Sequence, residues 1–114
     1  MLQIFGTAKC KNTQKAQRFF NERGVKFQFI DLSQKAMSKG ELESIVRSVP
    51  LETLIDTQCK EYERLNLKYI LHDIKEQLLE KPLLFVTPVV RCGKDSSVGY
   101  TPQKWLTFAQ QEKK

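Results

Sequence analysis

A short apolar stretch, a cysteine-containing loop and a long amphipathic segment follow one another at the start of this 114-residue chain. Leu2, Ile4 and Phe5 are apolar, and Cys10 stands directly before the amphipathic segment. This order predicts a strand, a tight loop and a helix with the thiol at its N-terminus. The free N–H groups and the positive end of the helix dipole favour a thiolate there, and the thiolate is the reactive form of cysteine.

The same region predicts a complete β-α-β unit. Asn12 or Thr13 is the expected cap of the helix, and Gly24 is the expected residue just beyond its C-terminus. The face of the helix that packs on the core is expected to carry the apolar residues at helical spacing, which are Ala16, Phe19 and Phe20. Residues 25–29 alternate between apolar and polar side chains, and this alternation predicts a second strand.

The middle of the chain is mostly helical in pattern. Ser38 and Glu41 have the spacing of a capping box, so a helix is expected to begin there and to stop before Pro50. The helical pattern continues over residues 51–81, and Pro82 closes it.

The last third of the chain changes character. Residues 84–90 are rich in β-forming residues and are interrupted by Pro88. The segment 93–95 predicts a hairpin turn, and residues 98–100 predict a short last strand. Thr101-Pro102 predicts the start of a final helix. The inner face of that helix is expected to carry Trp105, Phe108 and Ala109.

The length of the chain predicts a single domain that spans residues 1–114. We expect the protein to be a monomer. The net charge is +6 without a long basic block, so an acidic partner or an anionic substrate accounts for it and direct nucleic-acid binding is not expected. No run approaches the ~18 apolar residues of a membrane span. Three widely spaced cysteines without a secretory signal predict free thiols in a reducing cytoplasm, and one histidine gives no basis for a zinc site.

The order β-α-β, helices, β-β-α, with Cys10 after the first strand and Thr87-Pro88 before the third, resembles an α/β thioredoxin-like fold with a helical insertion at about 38–81. The chain resembles the arsenate reductase-like family, which includes the Spx regulators. The stretches that carry this resemblance are spread along nearly the whole chain and are 4–10, Lys15-Ala16, Gly24-Val25, 38–42, 62–67, 87–90, Gly93-Lys94 and 98–100.

The resemblance implies a specific site. Pro88 is expected to follow a cis peptide bond and to face the thiol loop, so that Thr87 and Pro88 form a lip for the substrate. Cys10 is expected to be the reactive cysteine. In the reductases of the family this cysteine attacks the oxyanion, and glutathione with glutaredoxin or thioredoxin completes the cycle. In Spx-type regulators a Cys-x-x-Cys pair senses oxidation, and the domain binds the C-terminal domain of the RNA polymerase alpha subunit.

This chain departs from the family pattern at three positions. Thr13 stands where Spx-type proteins have their second cysteine, so a local Cys-x-x-Cys switch is impossible. Thr87 and Tyr100 stand where reductases of the family commonly have arginines that hold the oxyanion. Bidentate contacts from a guanidinium to an oxyanion are hard to replace with neutral groups. The resemblance therefore implies thiol chemistry, and true arsenate reduction is not expected.

Several nearby residues are candidates for supporting the thiol. Lys9 and Lys11 flank Cys10 and are expected to lower its pKa. The hydroxyl of Thr13, one turn into the helix, is expected to cap the helix or to donate to the thiolate. Arsenate would be poorly held unless Lys9, Lys11 or Arg91 substitutes for the missing arginines, which makes Arg91 a candidate anion contact.

The other titratable candidates have simpler interpretations. Cys59 and Cys92 are expected to be structural or incidental, and Cys92 is expected to be exposed in its hairpin. Either one could resolve Cys10 only if its Cα lay within ~7 Å of that of Cys10. His72 is interpreted as a solvated residue at a helix start rather than a catalytic base.

Two functions are consistent with the sequence. The first is a thiol-dependent oxidoreductase in which Cys10 is the single nucleophile and an external thiol completes the cycle. Glutathione is its expected co-substrate, with glutaredoxin or thioredoxin as further reductants, and no cofactor is expected. The alternative is a Spx-like transcriptional regulator that binds the RNA polymerase alpha subunit.

Overall fold

A four-stranded sheet lies at the centre of the fold in the computed structural model, which describes residues 2–57, 59–64 and 74–112. The strand order is β2-β1-β3-β4. β1 pairs with β2 in parallel and with β3 antiparallel, and β3 and β4 form an antiparallel hairpin. The strands are β1 (Leu2–Gly6), β2 (Phe27–Asp31), β3 (Val89–Cys92) and β4 (Asp95–Val98).

Helices cover both faces of this sheet. They are α1 (Lys11–Glu22), α2 (Lys39–Val46), α3 (Lys60–Arg64), α4 (Ile74–Glu80) and α5 (Pro102–Glu112). Short 3-10 turns at Leu51–Thr53 and Pro82–Leu84 flank α3 and α4. The element order is therefore β-α-β, helices, β-β-α, which is the thioredoxin-like arrangement with additional helices between its halves.

Two apolar cores follow from the alternation of side chains along the strands. On one face, α1 and α5 pack against alternate residues of β1 and β3. This core contains Leu2, Ile4, Ala16, Phe20, Val25, Val90, Cys92, Trp105, Phe108 and Ala109. On the other face, Phe5 and Val89 pack with residues of α2, α4 and the segments around them, among them Leu42, Ile45, Leu54, Leu78 and Phe85.

The first helix begins two or three residues earlier than a cap at Asn12 or Thr13 would place it. Cys10 itself is the N-cap, with extended backbone angles, and no side chain caps the helix. The prediction of Asn12 or Thr13 as the cap is therefore wrong, because both lie inside α1 and Thr13 is fully buried. Gly24 follows the helix with φ of +69°, as predicted, because a residue without a Cβ adopts this conformation without strain.

The second helix begins at the predicted capping box. Ser38 Oγ accepts from the Glu41 N–H at 3.1 Å, and the Glu41 carboxylate accepts from the Ser38 N–H at 2.9 Å. α2 ends at Val46, before Pro50 as expected. The Leu71 and His72 part of the predicted helical pattern lies outside the described residues.

The last third differs from its predicted boundaries at the hairpin turn, where Asp95 already belongs to β4, and at the last strand. The Thr87–Pro88 peptide bond is cis, and β3 starts directly after it. Gly93 and Lys94 form the hairpin turn. The last strand is Asp95–Val98, so the prediction of a strand over residues 98–100 is wrong. Gly99 adopts a φ of +77°, which ends the strand and directs the chain towards α5.

None of the helices in the described part of the chain is long and apolar enough to cross a membrane.

Candidate active site around Cys10

The loop that carries Cys10 is fixed at both ends by hydrogen bonds. The Cys10 N–H donates to the Thr7 carbonyl at 3.1 Å, and the Gln14 N–H donates to the Cys10 carbonyl at 3.0 Å as the first bond of α1. The side-chain amide of Gln14 reaches back and donates to the Ala8 carbonyl at 2.6 Å. These bonds hold Cys10 half-buried where β1 ends and α1 begins. No pattern in the sequence indicates this contact between Gln14 and the loop.

The sheet register brings Thr87 to the same place. Phe5 pairs with Val89 in the antiparallel pair of β1 and β3, so the residues after Phe5 and those before Val89 lie at one edge of the sheet. There Thr87 Oγ1 donates to Cys10 Sγ at 3.0 Å, and the Sγ–H points to the Thr87 carbonyl at 3.7 Å. Thr87 was predicted only as part of a substrate lip, and the structure shows in addition that its hydroxyl contacts the thiol.

These contacts alter the acidity of the thiol. Burial opposes ionisation, but hydrogen bonds from the side chains of Thr13 and Thr87 and from the N–H groups of Thr13 and Asn12 outweigh it, and the pKa of Cys10 is lowered. A thiolate is a better acceptor than a thiol, so each donor favours the ionised form. Asn12 thus supports the thiolate through its backbone.

Thr13 lies beside the thiol in the first turn of α1. Its side chain is fully buried, and Oγ1 makes no hydrogen bond of standard geometry within the described residues. An ionised sulfur attracts a hydroxyl more strongly than a thiol does, so the Thr13 side chain lowers the pKa of Cys10. Gly6 makes the packing possible, because a Cβ at that position would lie 2.6 Å from Thr13 Cγ2.

The charged candidates lie further out. Lys9 and Lys11 are exposed on either side of Cys10, and their support of the thiolate remains a prediction. Arg91 is not brought to the thiol. Arg91 lies opposite Gln3 in the sheet, and its Nη1 donates to Gln3 Oε1 at 2.9 Å. It is three residues after Pro88, which corresponds to about 10 Å along the strand. In this structure Arg91 contacts Gln3 rather than Cys10, and its role as an anion contact remains a prediction.

The other two cysteines occupy different environments. Cys59 Sγ is half-buried and hydrogen-bonded to the Asp56 carbonyl at 3.1 Å. Cys92 is only 5% exposed, so the expectation of an exposed Cys92 is wrong. Its side chain points into the core between the sheet and α5, because it alternates with Arg91 along β3. Burial, and secondarily the nearby Glu112 carboxylate, raises the pKa of Cys92 to about 11.

A rim of exposed side chains lies beside the cis peptide. The Gly99 N–H donates to the Pro88 carbonyl at 2.8 Å, which places Tyr100 next to the lip. The Tyr100 ring is 54% exposed and packs edge-on against Trp105 at 5.3 Å between centroids. Lys15 Nζ lies 5.1 Å from the centre of the Tyr100 ring. Sequence reasoning did not pair Lys15 with Tyr100, and no spacing signal would have revealed it.

The arrangement is suited to sulfur chemistry. A half-buried thiol with a lowered pKa lies at the N-terminus of a 12-residue helix and faces the cis peptide bond between Thr87 and Pro88. Within residues 2–57, 59–64 and 74–112, no group of three or more His, Cys, Asp or Glu side chains could hold a metal ion. The chemistry that these side chains offer is nucleophilic attack by Cys10 Sγ.

Fold and site together define a thioredoxin-like protein with one thiol at a helix N-terminus facing a cis-proline. The chain belongs to the ArsC family, whose sequence model matches residues 5–108.

Individual relatives are distant in sequence and close in structure. The chain is 26% identical over 106 residues to the uncharacterized protein YusI of Bacillus subtilis (strain 168), covering 87% of this chain and 90% of that protein. It is similar to the solved structure of the YFFB (PA3664) protein, with a TM-score of 0.84, 18% identity and coverage of 96% and 99%. The arsenate reductase from Vibrio cholerae gives a TM-score of 0.80 at 21% identity, with coverage of 94% and 96%. At these identities the structural likeness establishes the fold.

Proposed function

We propose that this protein is a thiol-dependent oxidoreductase in which Cys10 attacks an oxidised sulfur, with glutathione as the co-substrate. The observation that carries the proposal is the 3.0 Å hydrogen bond from the Thr87 hydroxyl to Cys10 Sγ. This bond favours the thiolate and at the same time holds the half-buried sulfur beside the cis Thr87–Pro88 peptide bond. Attack on a disulfide sulfur requires both the thiolate and access to it.

The proposed cycle uses one protein thiol and two molecules of glutathione. The Cys10 thiolate attacks the glutathione sulfur of a mixed disulfide, a bond forms between Cys10 Sγ and that sulfur, and the substrate leaves as a thiolate that takes up a proton. A glutathione thiolate then attacks the glutathione sulfur bound to Cys10. Glutathione disulfide forms, and Cys10 leaves as a thiolate. In balance, one disulfide is exchanged for another: the substrate sulfur is released as a thiol, and the glutathione that enters from solution is oxidised into glutathione disulfide.

A thiol external to the protein is needed because no second cysteine supports a local switch. Thr13 occupies the position three residues after Cys10. Cys92 is buried in the core that α1 and α5 form with the sheet, and Cys59 is hydrogen-bonded within the insertion. Glutaredoxin or thioredoxin could complete the same cycle by attacking the mixed disulfide in place of the second glutathione.

Arsenate is not the substrate we propose. A guanidinium binds an oxyanion through two parallel hydrogen bonds, and a neutral hydroxyl in its place supplies neither the charge nor this geometry. Thr87 and Tyr100 occupy the positions where the sequence lacks the expected arginines, and Arg91 is directed to Gln3 instead. The side chain that contacts Cys10 Sγ is the neutral Thr87.

Incubation with glutathione disulfide, followed by intact-mass spectrometry and peptide mapping, tests the proposal. We expect one adduct per chain on Cys10, which added glutathione removes. The Cys59→Ala/Cys92→Ala double variant is the matched control and should form the same adduct at the same rate. An adduct that forms equally fast on the Cys10→Ser variant would contradict the proposal.

A second candidate function is binding to the RNA polymerase alpha subunit, as in a Spx-like regulator. The observation that favours it is the exposed Tyr100, which follows Gly99 at the rim of the site and would be available to a protein partner. Retention of the isolated alpha C-terminal domain in a pull-down, lost in the Tyr100→Ala variant, would support this function. Absence of retention at micromolar concentrations would exclude it.

A further inference from the structure

A cleft of about 230 Å³ lies along the outer edge of β4, apart from Cys10. β4 is the last strand of the sheet, so one of its edges is not paired with another strand. The segment after α2 and the first turn of α5 form the other walls. The polar residues that line the cleft are Ser48, Thr53, Ser96, Ser97, Thr101 and Lys104.

Three hydroxyl groups at this cleft have no hydrogen-bond partner within the described residues. Ser96 is 1% exposed and Ser97 is 3% exposed, and the Oγ atoms of both are unpaired, as is Thr101 Oγ1. A buried hydroxyl without a partner costs free energy, and such groups are rare in folded proteins. Successive side chains of a strand lie on opposite faces, so Ser96 and Ser97 do not address the same ligand. Ser97 lies opposite Val90, on the face of the sheet that carries α5, and Thr101 directly precedes α5. The unpaired hydroxyls of Ser97 and Thr101 therefore indicate a ligand with several acceptor atoms on this side of the cleft.

The backbone of β4 adds donors to the same place. The hairpin turn has two residues, so Cys92 and Asp95 form a hydrogen-bonded pair and the pairs alternate from there. Ser96 and Val98 therefore occupy the non-hydrogen-bonded positions of this ladder. The hydrogen bond from the Gly99 N–H to the Pro88 carbonyl agrees with this alternation, because Gly99 is the next residue after Val98. The N–H groups of Ser96 and Val98 are therefore directed away from β3, towards the cleft.

The start of α5 gives the cleft a positive character. The first turn of this 11-residue helix contains no acidic residue and contains Lys104. The Thr101 hydroxyl is unpaired, so it does not cap the N–H groups of Gln103 and Lys104. Free N–H groups at a helix N-terminus bind anions. No carboxylate is present among the described residues that line the cleft.

We propose that this cleft binds a phosphate group, held by the hydroxyls of Ser97 and Thr101, the free N–H groups of β4 and α5, and the ammonium of Lys104. A phosphate dianion has several acceptor oxygens and no obligatory donor, which matches a site that consists of donors. The site is independent of the thiol chemistry at Cys10. The phosphate could be free in solution or part of a larger molecule such as a nucleotide.

Titration with inorganic phosphate, followed by two-dimensional amide NMR, tests the proposal. We expect saturable shifts at the amides of Ser96, Val98, Gln103 and Lys104, without shifts in the loop before Cys10. A parallel titration with adenosine 5′-monophosphate distinguishes the two sources of phosphate, since tighter binding of the nucleotide indicates a ligand that extends beyond the phosphate. Titration with acetate should give at least about tenfold weaker binding, because a monocarboxylate carries less charge and fewer acceptor atoms.

Substitutions at exposed lysines make the test independent of folding. Lys104→Gln should raise the dissociation constant of phosphate about tenfold, because it removes a charge-assisted contact. Lys94→Gln, in the hairpin turn of the same strand pair, is the matched control and should change the constant less than about twofold. Thr101→Val should weaken binding as Lys104→Gln does. Shifts that do not saturate, or that persist unchanged in Lys104→Gln, would overturn the proposal, as they would mean non-specific ion binding only.

Discussion

Thr87 and Cys10 are joined through two contacts across the edge of the sheet. The Thr87 hydroxyl donates to Cys10 Sγ at 3.0 Å, and the thiol points back to the Thr87 carbonyl at 3.7 Å. The two residues are 77 positions apart, and the pairing of β1 with β3 brings them together. The residue before the cis-proline thus contributes both to the lip of the site and to the acidity of the thiol.

Removing the Thr87 hydroxyl should make the thiol less acidic. In Thr87→Val, we expect the pKa of Cys10 to rise and its alkylation rate at neutral pH to fall about tenfold, because a hydrogen bond to a charged group contributes about 1.5–3 kcal/mol. Alkylation reactions that are quenched at set times and analysed by peptide mapping give the rate at each cysteine. Thr107→Val, on the exposed face of α5, is the matched control and should leave the rate unchanged. An equal effect of both substitutions would contradict this role of Thr87.

Thr13→Val should separate the reactivity of the thiol from the stability of the fold. The hydroxyl is buried and makes no hydrogen bond of standard geometry within the described residues, so replacing it with a methyl group should change the free energy of unfolding by less than about 1 kcal/mol at pH 6. The alkylation rate of Cys10 should nevertheless fall severalfold. Urea unfolding and alkylation of the same sample provide the two readouts. A loss of stability without a loss of reactivity would show that Thr13 is only a packing residue.

Gly6→Ala should disturb the site through Thr13. The added Cβ would lie 2.6 Å from Thr13 Cγ2 and 3.0 Å from Thr13 Cβ, so the start of α1 must shift, at a cost of about 1–3 kcal/mol. Denaturant unfolding measures this cost. In the Gly6→Ala/Thr13→Ala double variant, part of it should disappear, because the clashing methyl group is gone. Gly40→Ala, in open space on α2, is the control and should not destabilise the protein.

The raised pKa of Cys92 predicts that the free energy of unfolding depends on pH in the alkaline range. Its pKa is raised from an ordinary 9.0 to about 11, so the folded protein retains a proton that the unfolded chain loses. This contribution to stability is complete below pH 9 and is lost as the pH rises towards 11. We expect the free energy of unfolding to fall by up to about 2 kcal/mol over that range.

The Cys92→Val variant is the reference for this effect. Urea unfolding of both proteins between pH 8 and 11 isolates the contribution of Cys92, since every other group titrates in both. The difference in free energy between the two proteins should shrink as the pH rises. Parallel curves for the two proteins would contradict the raised pKa of Cys92.

Local patterns predicted the elements of this fold better than the contacts between them. The capping box at Ser38, the glycine after α1 and the inner face of α5 each depend on neighbouring residues, and each is confirmed. The position of Arg91 depends on which strand lies opposite, and the sequence does not contain that register. The burial of Cys92 likewise depends on α5, which lies beyond the hairpin.

The site was partly predictable for the same reason. Cys10 at a helix N-terminus is a local feature, whereas its hydrogen bond to Thr87 needs the antiparallel pairing of β1 and β3. The side chains of Asn12 and Thr13 favour a helix cap, yet Thr13 packs against Gly6 and is fully buried inside α1. Tertiary packing here overrides the local preference.

The rate of Cys10 alkylation as a function of pH tests the central claim most directly. The Cys59→Ala/Cys92→Ala variant leaves Cys10 as the only thiol, and its reaction with iodoacetamide reports the thiolate fraction at each pH. We predict an apparent pKa of Cys10 below that of an ordinary cysteine, with the Thr87→Val variant shifted upwards. An apparent pKa at or above the ordinary value, unchanged by Thr87→Val, would contradict the assignment of Cys10 as an activated nucleophile.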